Sequence, residues 1–266
     1  MIKNVGDITP EEINEIVRES VKVYFKSNFC FLNQHNGFRP GCLHVLMGTA
    51  GSGKSTFIRS VIGDCLKVNA ATVYAWQSEE SVKELQVSMF KQGVDRTVLS
   101  GLIAESELDN YPATVDEMLD RVLFTEAKVL VIDNITTSRF YMDRKISEQS
   151  AFITKLKTFA AENDIAIVLV AHTKKEIHDN YGKLISEADI RGCSSVVNMA
   201  HFFYVLQKFQ LGNVFFPTLR ITKNRGQDVD ERLYKLEYES KTMSYTTDRQ
   251  INFEDFKTAF NNRNKL

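Results

Sequence analysis

Gly48-Thr49-Ala50-Gly51-Ser52-Gly53-Lys54-Ser55-Thr56 meets the pattern G-x-x-x-x-G-K-[ST] at every fixed position. The apolar run before it, Cys42-Leu43-His44-Val45-Leu46-Met47, reads as a buried strand entering the loop. After it, Phe57, Ile58, Val61, Ile62, Cys65 and Leu66 recur at helical spacing. Strand, glycine loop and helix in that order make a phosphate-binding loop. Gly48, Gly51 and Gly53 permit dihedrals that other residues resist. The loop N–H groups then converge on phosphate oxygens at a positive helix N-terminus. Lys54 supplies a point charge for the β- and γ-phosphates of ATP, and the Ser55 hydroxyl is a ligand for the accompanying Mg2+. Kinases, switches and motors share this loop, so purpose has to come from the rest of the chain.

The 266 residues suffice for one large domain or two small ones. A formal net charge of −1 does not advertise a nucleic-acid binder, but a local basic strip would be enough for one. The four cysteines form no C-x-x-C pair and lie mostly in apolar segments, which points to buried thiols in a reducing cytoplasm. The histidines show no zinc spacing. No signal peptide is read at the acidic N-terminus. The longest apolar run, 165–171, is too short to span a bilayer, so no membrane partner is expected.

Thr9-Pro10-Glu11-Glu12 is a helix-start signature, and Ile13, Ile16, Val17, Val21 and Tyr24 would line one face of the helix that follows. That helix either covers the core or docks on a neighbouring subunit. We divide the chain into a helical arm, 1–36, and an ATPase domain, 37–266.

A second strand, 71–76, leads to Gln77-Ser78-Glu79-Glu80, and a helix with Val82, Leu85, Met89 and Phe90 inward follows. Residues 94–113 look irregular. Thr114 and Glu117 then open a helix carrying Val115, Met118, Leu119, Val122 and Leu123 inward. Val129-Leu130-Val131-Ile132-Asp133 has the form of a Walker B strand, whose aspartate reaches the Mg2+ shell at the mouth of the sheet. The next residue is Asn134 and not a catalytic glutamate, so a water-activating carboxylate must come from elsewhere. Glu79 and Glu80 are the candidates, with Glu79 preferred; the competing reading is a pair of solvated helix-start carboxylates.

Another buried strand, 165–170, ends in Ala171-His172-Thr173. His172 stands where a γ-phosphate sensor would sit, and a structural histidine fits equally well. Segments 136–147 and 174–191 carry Lys and Arg without apolar periodicity. A short helix at 194–200, strands at 201–206 and 219–224, a closing hairpin over 232–247, and a last helix with Phe253, Phe256 and Phe260 complete the reading. The fold class is α/β: a central, mostly parallel twisted sheet flanked by helices, with a C-terminal hairpin.

On these segments, together with Asp189-Ile190-Arg191-Gly192-Cys193-Ser194-Ser195 and Lys223-Asn224-Arg225-Gly226, the chain resembles the RecA-like ATPases of the DnaB/RepA class of ring-shaped replicative helicases. The resemblance spans roughly 37–240. It implies that Lys54 and Ser55 hold phosphates and metal, that Asp133 holds metal through water, and that Glu79 is the general base. His172 replaces the family's usual glutamine, which leaves its sensor role open. Lys223 and Arg225 match paired cations that reach the γ-phosphate of the adjacent subunit, which implies a homo-oligomer, a ring of six. The loops at 136–147 and 174–191 would line a channel for single-stranded nucleic acid, DNA in the first place. Three functions follow: a nucleic-acid motor that translocates and unwinds, a recombinase-like or helicase-loading DNA-dependent ATPase, and a regulatory ring that acts on proteins alone.

Overall fold

The computed structural model describes residues 22–109, 114–174, 184–211, 214–225 and 232–252, with Thr9, Glu11, Glu12, Asn14, Glu15, Arg18 and Thr258. Its elements are α1 (Cys30–Gln34), β1 (Leu43–Gly48), α2 (Lys54–Asn69), β2 (Val73–Gln77), α3 (Val82–Lys91), α4 (Arg96–Leu99), β3 (Leu102–Ser106) and α5 (Val115–Phe124). There follow β4 (Val129–Asp133), α6 (Ile146–Asn163), β5 (Ala166–His172), α7 (Ser195–Met199), β6 (Phe202–Leu211), β7 (Val214–Asn224), β8 (Leu233–Glu239) and β9 (Ser244–Ile251).

The nine strands form one sheet in the order β3-β2-β4-β5-β1-β6-β7-β8-β9. The first six run parallel and the last three antiparallel. Alternate residues of each central strand enter different cores. Val129 and Val131 of β4 face the layer of α1, α2 and α3, while Leu130 and Ile132 face α5, α6 and α7. Two covered faces explain why these strands read as unbroken apolar runs. Phe29, Phe31 and Leu32, on and beside α1, are buried in the first of these cores.

At the start of the chain the Glu12 N–H donates to the Thr9 hydroxyl (3.2 Å) and the Thr9 N–H to the Glu12 carboxylate (2.9 Å), as the helix-start signature requires. The stripe Ile13, Ile16, Val17 and Val21 lies outside the described residues, as do Phe253, Phe256 and Phe260. Among the described residues no helix is long and apolar enough to cross a membrane. The thiols of Cys65 and Cys193 are buried, those of Cys30 and Cys42 half-buried, and all four are free.

Three expectations need correction. The stretch 94–113 is not simply irregular: Asp95 caps α4, and β3 pairs with β2 at the sheet edge. Only Leu102-Ile103-Ala104 of β3 is apolar; Glu105 is held by the Tyr74 hydroxyl and Arg121. Phe90 does not point inward. Leu85 and Met89 fix the buried stripe of α3, and Phe90, about 100° further round, stays 66% exposed. Leu123 of α5 is likewise exposed. Strands β6 and β7 also run well beyond the apolar segments, since an antiparallel pair tolerates a polar face.

His44 is fully buried in β1, its ring nitrogens 3.1 Å from the Tyr204 hydroxyl and 3.2 Å from the Arg39 carbonyl. Burial holds its pKa down to about 3. The unfolded chain therefore takes up a proton that the folded chain refuses. This contribution to stability is complete above the ordinary value of 6.5 and is lost as pH falls towards 3. His44→Gln should remove one histidine's share of the slope, roughly 1.4 kcal/mol per pH unit. Urea unfolding across the acid range measures it; an unchanged slope would refute the assignment.

Candidate functional site

The register brings the predicted residues to one edge. Gly48 pairs with His172 across β1 and β5, and Gln77 with Asp133 across β2 and β4. The loop after β1, Glu79 beyond β2, Asp133 on β4 and His172 on β5 thus meet outside the carboxyl ends of parallel strands, where α/β sheets place ligands. Gly51, Gly53, Lys54, Ser55 and Thr56, together with Glu79, Asp133, Asn134 and His172, line a cavity of about 290 Å3.

Gly53 caps α2 with φ 99°, a left-handed conformation that glycine adopts freely, and no side chain caps the helix. A Cβ on Gly48 would lie 2.3 Å from the Leu206 carbonyl oxygen, so β1 leaves the sheet only with glycine there. The Ser52 N–H donates to the Thr49 carbonyl (3.2 Å), and Ala50 is exposed at the tip. Lys54 Nζ is 3.1 Å from the Gly48 carbonyl, 2.8 Å from that of Thr49 and 3.2 Å from His172 Nδ1. Burial lowers its pKa to about 8, against the attraction of Asp133 and Glu79.

This donor set fits a polyphosphate. The α2 N-terminus has no side-chain cap, Lys54 is centred in the loop, and the buried Ser52 hydroxyl has no partner. It also fits Mg2+. No group of three or more His, Cys, Asp or Glu side chains among the described residues would hold a metal alone. Ser55 and Asp133 would share the ion with phosphate oxygens and water, as Mg2+ commonly requires. Burial raises the Asp133 carboxyl, while Ser55, Arg59 and Lys54 oppose that shift.

Glu79 lines the cavity, its carboxylate 3.5 Å from His172 Nε2. Glu80 turns away to Arg59, at 3.2 Å, and Arg59 Nε also donates to the Ser55 carbonyl. The role of Arg59 was not read from the sequence; its position one helical turn after Ser55 was the available signal. Asn134 proves more than a missing glutamate. Its Oδ1 accepts from Thr136 Oγ1 (2.7 Å), the Thr137 N–H (3.0 Å) and Thr137 Oγ1 (2.9 Å), which fixes the amide and sets Nδ2 2.9 Å from His172 Nε2. Burial and Lys54 lower the His172 pKa, so the imidazole is neutral near pH 7.

Lys223 and Arg225 are not at this cavity. Lys223 pairs with Phe203, itself level with Val45, and the Arg225 N–H donates to the His201 carbonyl while the His201 N–H donates to Leu43. Arg225 therefore sits near the amino end of β1, about five residues or roughly 16 Å of strand from Gly48. Lys223 Nζ donates to the Val197 (2.5 Å) and Asn198 (3.2 Å) carbonyls, and Arg225 donates to Asn198. Lys223 is half-buried and Arg225 exposed. Gly226 lies outside the described residues.

The 136–147 loop leaves the same edge as the cavity. Phe140 and Tyr141 anchor it, and Arg139, Arg144 and Lys145 are exposed. Of the 174–191 loop, residues 175–183 lie outside the described residues; Lys174 donates to the Ala188 carbonyl (2.9 Å) and Arg191 is exposed. The Tyr141 hydroxyl accepts from the Cys193 N–H at 2.9 Å and lies 2.3 Å from where a Cβ on Gly192 would be; Gly192 has φ 107°.

The AAA domain family matches residues 34–177. Among solved structures, a KaiC-like protein from the hyperthermophilic archaeon Pyrococcus horikoshii OT3 is similar, with a TM-score of 0.65 and 20% identity. The match covers 85% of this chain and 99% of that one. The shared architecture is the RecA-like α/β fold.

Proposed function

The chain belongs to the AAA domain family and has a RecA-like ATPase core, and on that premise we propose that it is an oligomeric motor that hydrolyses ATP to move along, and unwind, nucleic acid. In this reading the loop 48–56 holds the phosphates through its N–H groups and Lys54. Ser55, and Asp133 through water, would hold Mg2+, which when bound would supply positive charge to the β- and γ-phosphates. Glu79 takes a proton from water as its oxygen attacks the γ-phosphorus, and the bond to the β-phosphate oxygen breaks to leave ADP and phosphate. Neutral His172, its Nε2 accepting from Asn134 Nδ2, stands between Lys54 and Glu79, at the place for a sensor of the terminal phosphate.

The observation that carries the oligomer is the place of Lys223 and Arg225. Arg225 lies near the amino end of β1 and Lys223 level with Val45, neither of them at the cavity of their own chain, which supports a role towards the triphosphate of another subunit. A heterologous contact of this kind closes into a ring or continues as a filament; a ring of six is our proposal. Arg139, Arg144 and Lys145 beside the cavity support a track for phosphodiester charge.

The test is the ATPase rate with and without single-stranded DNA over a salt series. Stimulation that fades steeply with salt is expected. No stimulation at low salt would replace the motor with a regulatory ring acting on protein partners, a reading that the near-neutral charge leaves open.

A further inference from the structure

His172 stands between two donors, and a neutral imidazole can accept from only one of them. Lys54 Nζ lies 3.2 Å from Nδ1, and Asn134 Nδ2 lies 2.9 Å from Nε2. One ring nitrogen carries the proton, so one of these contacts sets donor against donor. Which contact that is depends on which partner can turn away.

Asn134 cannot. Its Oδ1 accepts from the Thr137 N–H at 3.0 Å, and a backbone N–H meets only an acceptor. Turning the amide over would set its NH2 against that N–H and against the hydroxyls of Thr136 and Thr137. The backbone of Asn134 is held as well. Its N–H donates to Ser78 Oγ at 3.0 Å, and Ser78 Oγ donates to its carbonyl at 2.9 Å. Asn134 is 1% exposed, so solvent does not compete for the amide. Lys54 is different. Its ammonium ends a flexible four-carbon stem, and its other contacts are the Gly48 and Thr49 carbonyls of the loop. Nε2 is therefore the acceptor, and Nδ1 carries the proton. Burial and Lys54, which keep the ring neutral, act in the same sense.

We propose that Asn134 is the positioning residue that holds His172 as the Nδ1–H tautomer, and that this N–H and the Lys54 ammonium together seat one oxygen of the terminal phosphate. This rests on the phosphate-loop reading above. An oxygen that accepts from both relieves the opposition of two donors 3.2 Å apart. Nε2, without a proton, donates nothing to Glu79 at 3.5 Å, and that carboxylate keeps its lone pairs for water.

Nitrogen NMR of the full chain labelled at histidine, with His172→Gln to assign the ring, reads the tautomer directly. The parent should show Nδ1 protonated and Nε2 not. Asn134→Asp keeps an acceptor for Thr136 and Thr137 and turns a carboxylate oxygen to the ring, so Nε2 should gain a proton. A protonated Nε2 in the parent, or an unprotonated one in Asn134→Asp, would overturn the assignment. Inorganic triphosphate with Mg2+ should shift the Nδ1 signal of the parent. By calorimetry, His172→Phe should bind it roughly 10- to 150-fold more weakly, the worth of one hydrogen bond to a charged group. Parent affinity in His172→Phe, with binding lost in Lys54→Ala, would overturn the shared seat while the phosphate loop stands. Retention of triphosphate by Lys54→Ala would instead remove the phosphate-loop reading, and the seat with it.

Discussion

Subunits carrying Arg225→Ala and subunits carrying Lys54→Ala, each inactive alone, are expected to recover ATPase activity when mixed and allowed to exchange. Arg225 lies some 16 Å of strand from its own loop and Lys223 about 10 Å, so an Arg225→Ala subunit still presents an intact loop and lacks only what it lends to its neighbour. A Lys54→Ala subunit presents the converse. Random mixing pairs an intact loop with an intact arginine at roughly a quarter of the seams. Loss of an arginine supplied in trans costs about 10³–10⁵ in turnover, so even that fraction stands far above either parent. Both side chains now rest on the carbonyls of Val197 and Asn198, and engagement of a neighbour's triphosphate would exchange those contacts for phosphate oxygens. An inactive mixture, with subunit exchange demonstrated, would refute the shared site.

Glu79→Gln should bind ATP as the parent does and hydrolyse it about 10²–10⁴-fold more slowly, the usual contribution of a positioned base. The neighbouring substitution is the control. Glu80 lies 3.2 Å from Arg59, away from the cavity wall, and burial raises its pKa while Arg59 opposes the shift. Glu80→Gln should therefore leave turnover within a few-fold of the parent. Rates from rapid-quench single turnovers separate the two. Full turnover in Glu79→Gln with a large loss in Glu80→Gln would exchange the roles.

The parts of the site that were legible in the sequence are those set by local rules. The loop 48–56 follows from glycine spacing, and Asp133 and His172 follow from apolar runs that end within two residues of one level of a parallel sheet. Glu79 follows from standing at the end of the second apolar run, with Asn134 in place of a carboxylate after Asp133. What could not be read depends on contacts between distant segments. Nothing near Tyr245 signals that it covers Gly53, and nothing near Glu80 signals that Arg59 holds it. The edge strand β3 was missed for a related reason. It is half-exposed and paired on one side, so its three apolar residues carry too little pattern to stand out from a loop. Phe90 misled in the opposite direction: hydrophobic character alone did not say which side of α3 faces the core.

The seat of Tyr141 beneath Gly192 has a mechanical outcome. Its hydroxyl occupies the space that any other residue's Cβ would need and is hydrogen-bonded to the next backbone amide, so the segments that follow β4 and β5 are pinned to one another. In the motor reading proposed above, a displacement of either segment would be passed to the other, and a larger residue at 192 would part them.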